Sequence, residues 1–143
     1  MEFLQWMKGE HQEARQLLRK ALQSDGRARE QAWQKFCDEM RIHHRLEEKY
    51  LYPLGEGFGP TREIAVHAIE ETQKTERLLD ELDPSASWFA EEAEELQRML
   101  EDHIEEEENE LVPKLMDGVP VDQQSKLVQK LQEAKQFEMQ SAR

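Results

Sequence analysis

The chain writes one eleven-residue pattern twice. Residues 43–53 read His-His-Arg-Leu-Glu-Glu-Lys-Tyr-Leu-Tyr-Pro, and residues 103–113 read His-Ile-Glu-Glu-Glu-Glu-Asn-Glu-Leu-Val-Pro. Both are His, three residues, Glu-Glu, two residues, Leu, one residue, Pro. On an α-helix, positions four apart lie one turn above each other on the same face. His43 therefore stacks on Glu47, and His103 on Glu107. The neighbours say which face this is. At about 100° per residue with Glu47 at zero, Phe36 and Leu54 fall at about −20°, Met40 at about +20°, and Trp33 and Leu51 at about +40°. His43 lies at about −40° and His44 at about +60° in the same frame, so the middle of the apolar stripe is a carboxylate flanked by imidazoles. With Glu107 at zero, Phe89 falls at about 0°, Leu96 at about −20°, Leu100 at about +20°, Ala93 and Leu111 at about +40°, and His103 at about −40°.

The other histidines follow the same rule. His11 shares a face with Leu4, Met7, Leu18 and Leu22, and His67 shares one with Ile64, Leu78 and Leu82. Breaks at Ser24-Asp25-Gly26, Gly55–Pro60, Asp83-Pro84-Ser85 and Asp117–Pro120 divide the chain. They leave four long helical segments, about 2–23, 27–54, 61–82 and 86–116, and a fifth, about 122–138. Glu, Gln, Leu, Lys, Arg and Ala dominate, all good helix formers, and no β-branched run suggests a strand. Short connections between long helices favour antiparallel neighbours. The expected fold is all-α: an antiparallel up-down-up-down four-helix bundle with an additional C-terminal helix. The 143 residues form a single domain, with the bundle at about 2–116 and the last helix at about 122–138. That last helix carries Leu127, Val128 and Leu131 on one side, for packing on the bundle or on a partner, including self-association.

Composition removes several function classes. Nineteen Lys and Arg against thirty-two Asp and Glu give a formal net charge of −13, which repels a phosphate backbone and excludes nucleic acid as the expected partner. The longest apolar run is far short of a membrane span. The start, MEFLQWMKGEH, has no basic region followed by an apolar stretch, and the single cysteine, Cys37, allows no internal disulfide. The expected location is the cytoplasm.

The inward polar groups carry the chemistry. A carboxylate alone on a core face costs several kcal/mol, and two facing each other repel until one protonates. Metal cations remove that cost. Imidazole suits iron, zinc, copper and nickel, and carboxylates can bridge two ions. Six inward groups from four helices therefore point to a two-metal centre, one half-site from each helix pair. The expected ligands are His11, His43, Glu47, His67, His103 and Glu107, with His44 either a fifth histidine ligand or a rim residue. Glu71, four residues after His67, is a ligand, a partner of one, or a surface ion pair with Lys74. Tyr50 is either a hydrogen-bond donor above the site or an ordinary packed tyrosine.

The order His, His-x-x-x-Glu, His, His-x-x-x-Glu over residues 2–116, with Glu-Glu-x-x-Leu-x-Pro in both repeats, resembles the hemerythrin-like, or HHE cation-binding, domain. Ferritin-like bundles use Glu-x-x-His, with the opposite order and a shorter spacing. The resemblance implies a non-haem di-iron centre of two iron ions, with Glu47 and Glu107 as carboxylate bridges beside an oxo or hydroxo bridge. It implies O2, peroxide or another small ligand at the metals. The oxygen carriers of that family place two histidines on the third helix, whereas this chain has His67 and Glu71, so simple reversible oxygen carriage is not the expectation. The readings left are a module that binds or senses O2 or iron, and a di-iron enzyme acting on peroxide or activating O2 for substrate oxidation. Bulk iron storage has no shell-forming feature to support it.

Overall fold

A computed structural model describes residues 2–141. No strand occurs among them. The long helices are α1 (Phe3–Gln23), α2 (Gly26–Leu46), α4 (Arg62–Glu81), α5 (Phe89–Glu106) and α7 (Val121–Ser141). Two short helices, α3 (Tyr52–Glu56) and α6 (Val112–Met116), continue α2 and α5. α1 packs on α2 and α5, and α4 packs on α5 and α2, which closes the antiparallel four-helix ring. α7 lies outside it across α1 and α2. No helix among the described residues is long and apolar enough to cross a membrane.

Local chemistry explains the turns. Gly26 takes the left-handed conformation, φ 53°, that reverses the chain after α1. The Arg29 guanidinium then donates to the carbonyls of Ala21, Leu22 and Ser24 at 2.8–3.2 Å, partnering acceptors that the end of α1 leaves free. Asp83 accepts from the backbone N–H and hydroxyl of Ser85, which turns the chain between α4 and α5. The start of α1 is closed from far away, because Gln124 of α7 accepts from the Phe3 N–H at 3.0 Å.

One feature departs from the expected plain α-helices. Glu47–Leu51 and Glu107–Leu111 are π-helical turns. The N–H of Tyr52 reaches back five residues to the Glu47 carbonyl, and that of Val112 to Glu107. Each turn stands just before the proline of its repeat. Pro53 and Pro113 have no N–H to donate and crowd the carbonyl of the preceding turn, so a widened turn accommodates them. The widening inserts one residue, and every later position faces as its predecessor faces in an α-helix. Leu54, expected to face inward, is 48% exposed, while Tyr52 and Gly55 are buried.

The buried side chains fall into two apolar clusters. One gathers Leu18, Trp33, Phe36, Met40, Leu79, Phe89, Leu96 and Leu100 with their neighbours. The other gathers Phe3, Met7, Leu46, Leu51, Tyr52, Ala65, Leu111 and Leu131 with theirs. Between these two groups along α1, α2 and α5 stand the histidines and glutamates of the repeats.

Gly55 shows how tightly the second cluster is packed. A Cβ there would meet the Ala65 Cβ at 2.8 Å and Leu111 Cδ1 at 3.3 Å. Gly55→Ala is expected to destabilise by about 1–3 kcal/mol through overpacking. Gly9, on the exposed side of α1, has no atom within 4 Å of such a Cβ. Gly9→Ala is expected to stabilise by about 0.5–1 kcal/mol. Urea unfolding of both variants beside wild type measures the opposite signs.

Candidate metal centre

Glu107 is the innermost group, with no exposed side-chain surface, and Glu47 is 3% exposed. Both lie at the first residue of a π-turn, which places them at the level where α2 and α5 widen. His43 Nε2 lies 2.9 Å from Glu47 Oε1, and His103 Nε2 lies 3.1 Å from Glu107 Oε1. These are the one-turn pairs expected from His-x-x-x-Glu. α1 adds His11, whose Nε2 lies 3.3 Å from the same Glu107 oxygen and whose ring centroid is 5.5 Å from that of His43.

Two triads result. His11, His43 and Glu107 offer ligand atoms within 4.8 Å of one another, and so do Glu47, His103 and Glu107. Glu107 belongs to both. The first triad draws on α1, α2 and the second π-turn, and the second on both π-turns and α5.

Oriented carboxylates hold the histidines from behind. His11 Nδ1 meets Glu108 Oε2 at 2.6 Å, and His44 Nδ1 meets Glu76 Oε1 at 2.5 Å. Such a contact sets the ring orientation and leaves Nε2 as the remaining nitrogen, as in metal sites whose histidines are held by carboxylates. Glu76 and Glu108 were not singled out in the sequence. Glu108 directly follows Glu107, and its place at the repeat's second Glu was the available signal; Glu76 had none.

His44 is buried between α2 and α4 and belongs to neither triad. His67 is not brought to the buried cluster. Its side chain is 57% exposed, with Nδ1 at 2.9 Å from Glu71 and 3.0 Å from Glu106, and these three form a separate group at the surface. The inward face of α4 explains this. It is built from Ala65, Ala68, Thr72, Thr75 and Leu79, which lie about 80–160° around the helix from His67. Small residues there admit close packing, whereas the larger Ile64 and Leu78, which pointed to His67 in the sequence, are only partly buried at the flanks.

Tyr50 also lies elsewhere, with Lys49 and Lys130 ammonium groups 5.4 Å and 5.3 Å from its ring centroid. The tyrosine at the centre is Tyr52. Its hydroxyl is 3.1 Å from His103 Nε2, 3.1 Å from Thr72 Oγ1, and donates to Glu107 Oε2 at 3.5 Å. The one-residue slip of the π-turn is what turns Tyr52 inward.

The electrostatics are those of a charge cluster without enough counter-charge. Burial and the Glu107 charge push the Glu47 carboxyl well above the usual range. Burial also acts against ionised Glu107, but His103 and the other neighbours outweigh it and hold Glu107 well below the usual range. Burial opposes charge on His103 too, yet the Glu107 and Glu47 carboxylates raise it to about 10. His43, buried and beside His11, falls to about 4. Among the described residues, five buried side-chain atoms have no hydrogen-bond partner: His11 Nε2, both Glu47 oxygens, His103 Nδ1 and Glu107 Oε1. Buried oxygen and nitrogen atoms left without hydrogen bonds in one layer cost several kcal/mol, and a cation that displaces their protons and takes them as ligands removes the deficit. The donor set, imidazole plus carboxylate, suits a first-row transition metal.

An all-helical bundle with overlapping histidine–carboxylate triads in its core defines a metal-binding helical protein. The sequence profile of the hemerythrin HHE cation-binding domain matches residues 2–115, and the chain belongs to that family. Comparison with curated proteins and with solved structures finds no match.

Protonated Glu47 and His103 must release protons when a cation takes their ligand atoms, so cation binding weakens as pH falls. Calorimetry in buffers of different ionisation enthalpy is expected to show proton release on binding near neutral pH. In the metal-free protein, carboxyl carbon NMR is expected to show one buried carboxyl titrating far above the normal range, and Glu47→Gln should remove it.

Proposed function

We propose that this chain is a non-haem di-iron protein that binds or senses O2 or iron. The observation that carries the reading is Glu107, shared by two buried triads, each of which can take one ion. Iron held there supplies a Lewis-acidic, redox-active centre able to engage O2 or peroxide. The proposed ligands are His11, His43, Glu47, His103 and Glu107. His67, the histidine of α4 in the His, His-x-x-x-Glu, His, His-x-x-x-Glu order, is proposed with them on that order alone, since here it stands at the surface with Glu71 and Glu106. His44, its Nδ1 held by Glu76, supplies Nε2 as a fifth histidine nitrogen.

The surrounding residues favour a small ligand over an organic substrate. The apolar clusters on either side keep water from the layer. The larger surface hollows, against Tyr50 and Phe137, against Phe58 and Leu115, and against Trp88, are lined by none of the proposed ligands. Reaction with peroxide is the second reading, and Tyr52 is its support. Its hydroxyl stands beside His103 and Glu107, and burial together with the Glu107 and Glu47 carboxylates keeps it protonated and able to donate a hydrogen bond.

Elemental analysis of protein reconstituted with iron is expected to give about two ions per chain, the number the shared carboxylate accommodates. Glu107→Ala should lose both, whereas Glu47→Ala should keep part of the first. Retention of full iron by Glu107→Ala would remove the basis of the reading. His44→Ala should keep most of its iron yet autoxidise and react with peroxide faster than wild type. Tyr52→Phe should slow peroxide reaction by about a hundredfold, the scale of a lost positioned donor, with iron content unchanged.

A further inference from the structure

The family match ends at residue 115, and α7 begins beyond it. α7 nevertheless contributes Lys135 to a small slot that is also lined by His43 of the centre. The slot lies between α1 and α2, and Ala14 and His43 are in its wall with the apolar Leu17, Phe36, Met40 and Leu46. Around it stand Glu10 and Glu13 of α1, Glu39 of α2 and Lys135 of α7. Lys135 Nζ lies 2.8 Å from Glu10 Oε2 and 3.6 Å from Glu13 Oε2.

Three observations give the slot a role. The first is access. The side chains of Glu107, Glu47, His11, His44 and His103 are 0–8% exposed, whereas His43 is 14% exposed. The slot is therefore lined by the group of the buried layer that keeps most contact with solvent. The second is charge. Three carboxylates face one ammonium, so the entrance is short of positive charge. Glu39, part-buried and beside Glu13, is pushed up to about 7, which is the response of a carboxyl crowded in this way. The third is attachment. α7 is anchored independently by buried Val128 and Leu131 and by Gln124 on the Phe3 N–H and the Val119 carbonyl. The Lys135 side chain can swing away while the helix stays in place.

We propose that this slot is the entry route for divalent cations to the buried centre and that Lys135 is its gate. Its ammonium occupies the place among Glu10, Glu13 and Glu39 that an entering cation takes. Carboxylate oxygens favour a hard divalent ion there, and the imidazole of His43 in the slot wall receives it. The route rests on the proposed metal centre, but it concerns the rate of loading and not the number of ions held.

The test uses the full chain without metal, mixed anaerobically with Co(II) and followed by visible absorption. Lys135→Met is expected to load roughly tenfold faster than wild type, the scale on which focused charge alters association. Lys130→Met removes the same charge from the same helix but away from the slot, and should load at nearly the wild-type rate. Ala14→Leu, which narrows the slot, should load more slowly. All four proteins should reach the same final Co(II) content. A metal-free reading accompanies this. Carbethoxylation of His43, read by peptide mass spectrometry, should rise in Lys135→Met and fall in Ala14→Leu. Equal loading of Lys135→Met and Lys130→Met, with His43 reactivity unchanged, overturns the gate. If wild type binds no Co(II), the proposed centre fails instead, and His43 reactivity alone still decides whether Lys135 controls access.

Discussion

The structure is organised around two carboxylates buried at one level of a helical bundle. Glu47 and Glu107 leave almost no surface to water, and among the described residues no Lys or Arg is paired with either. A pair of this kind is a net cost to the metal-free fold, because the desolvation of each ion is not returned by the other. The fold answers in part by protonation: one carboxyl is pushed up, the other is held down by His103, and the two share what positive charge the histidines provide. The remainder is left as unpartnered atoms. The apolar clusters on both sides supply the burial that holds this layer in place, and they also supply the dryness that makes the layer want a cation.

The π-turns are how the chain builds that layer from ordinary helices. Each opens at the glutamate and closes just before the proline of its repeat. A proline in a helix interior is disruptive, and here the disruption is confined to one turn of fixed length. The slip it introduces moves Tyr52 onto the inner face and Leu54 off it. The same residues thus keep the helix continuous, set the height of the carboxylates and select which tyrosine meets His103. Behind the inner groups, Glu76 and Glu108 orient His44 and His11, so four helices are tied to the layer by side-chain contacts as well as by packing.

α7 adds a second level of control outside the four-helix ring. It supplies Gln124 to the start of α1 and Lys135 to the acidic slot that His43 also lines. The same helix that completes the capping of the bundle therefore faces the most open of the buried histidines. Its exposed Phe137 and the Tyr50–Lys130 contact line a separate surface hollow.

Much of this was written in the sequence. Periodicity of 3.6 and the turn residues determined an all-α bundle with a fifth helix, because an apolar stripe must be buried and Gly, Pro, Asp and Ser end helices locally. The repeated His-x-x-x-Glu determined that His43, Glu47, His103 and Glu107 share faces, because a one-turn spacing leaves no freedom in where two side chains point. The rest required tertiary structure. A helical wheel assumes an unbroken 100° step, so it could not anticipate that the π-turns would exchange Tyr50 for Tyr52 and expose Leu54. It also weights large apolar residues, so it turned α4 toward Ile64 and Leu78, whereas close packing against neighbouring helices chose Ala65, Ala68, Thr72 and Thr75 and left His67 at the rim. The sharing of Glu107 between two triads, the Glu76 and Glu108 contacts and the Lys135 slot all join residues distant in the chain. Such contacts depend on which helix lies beside which, and at what depth, and only the assembled bundle decides that.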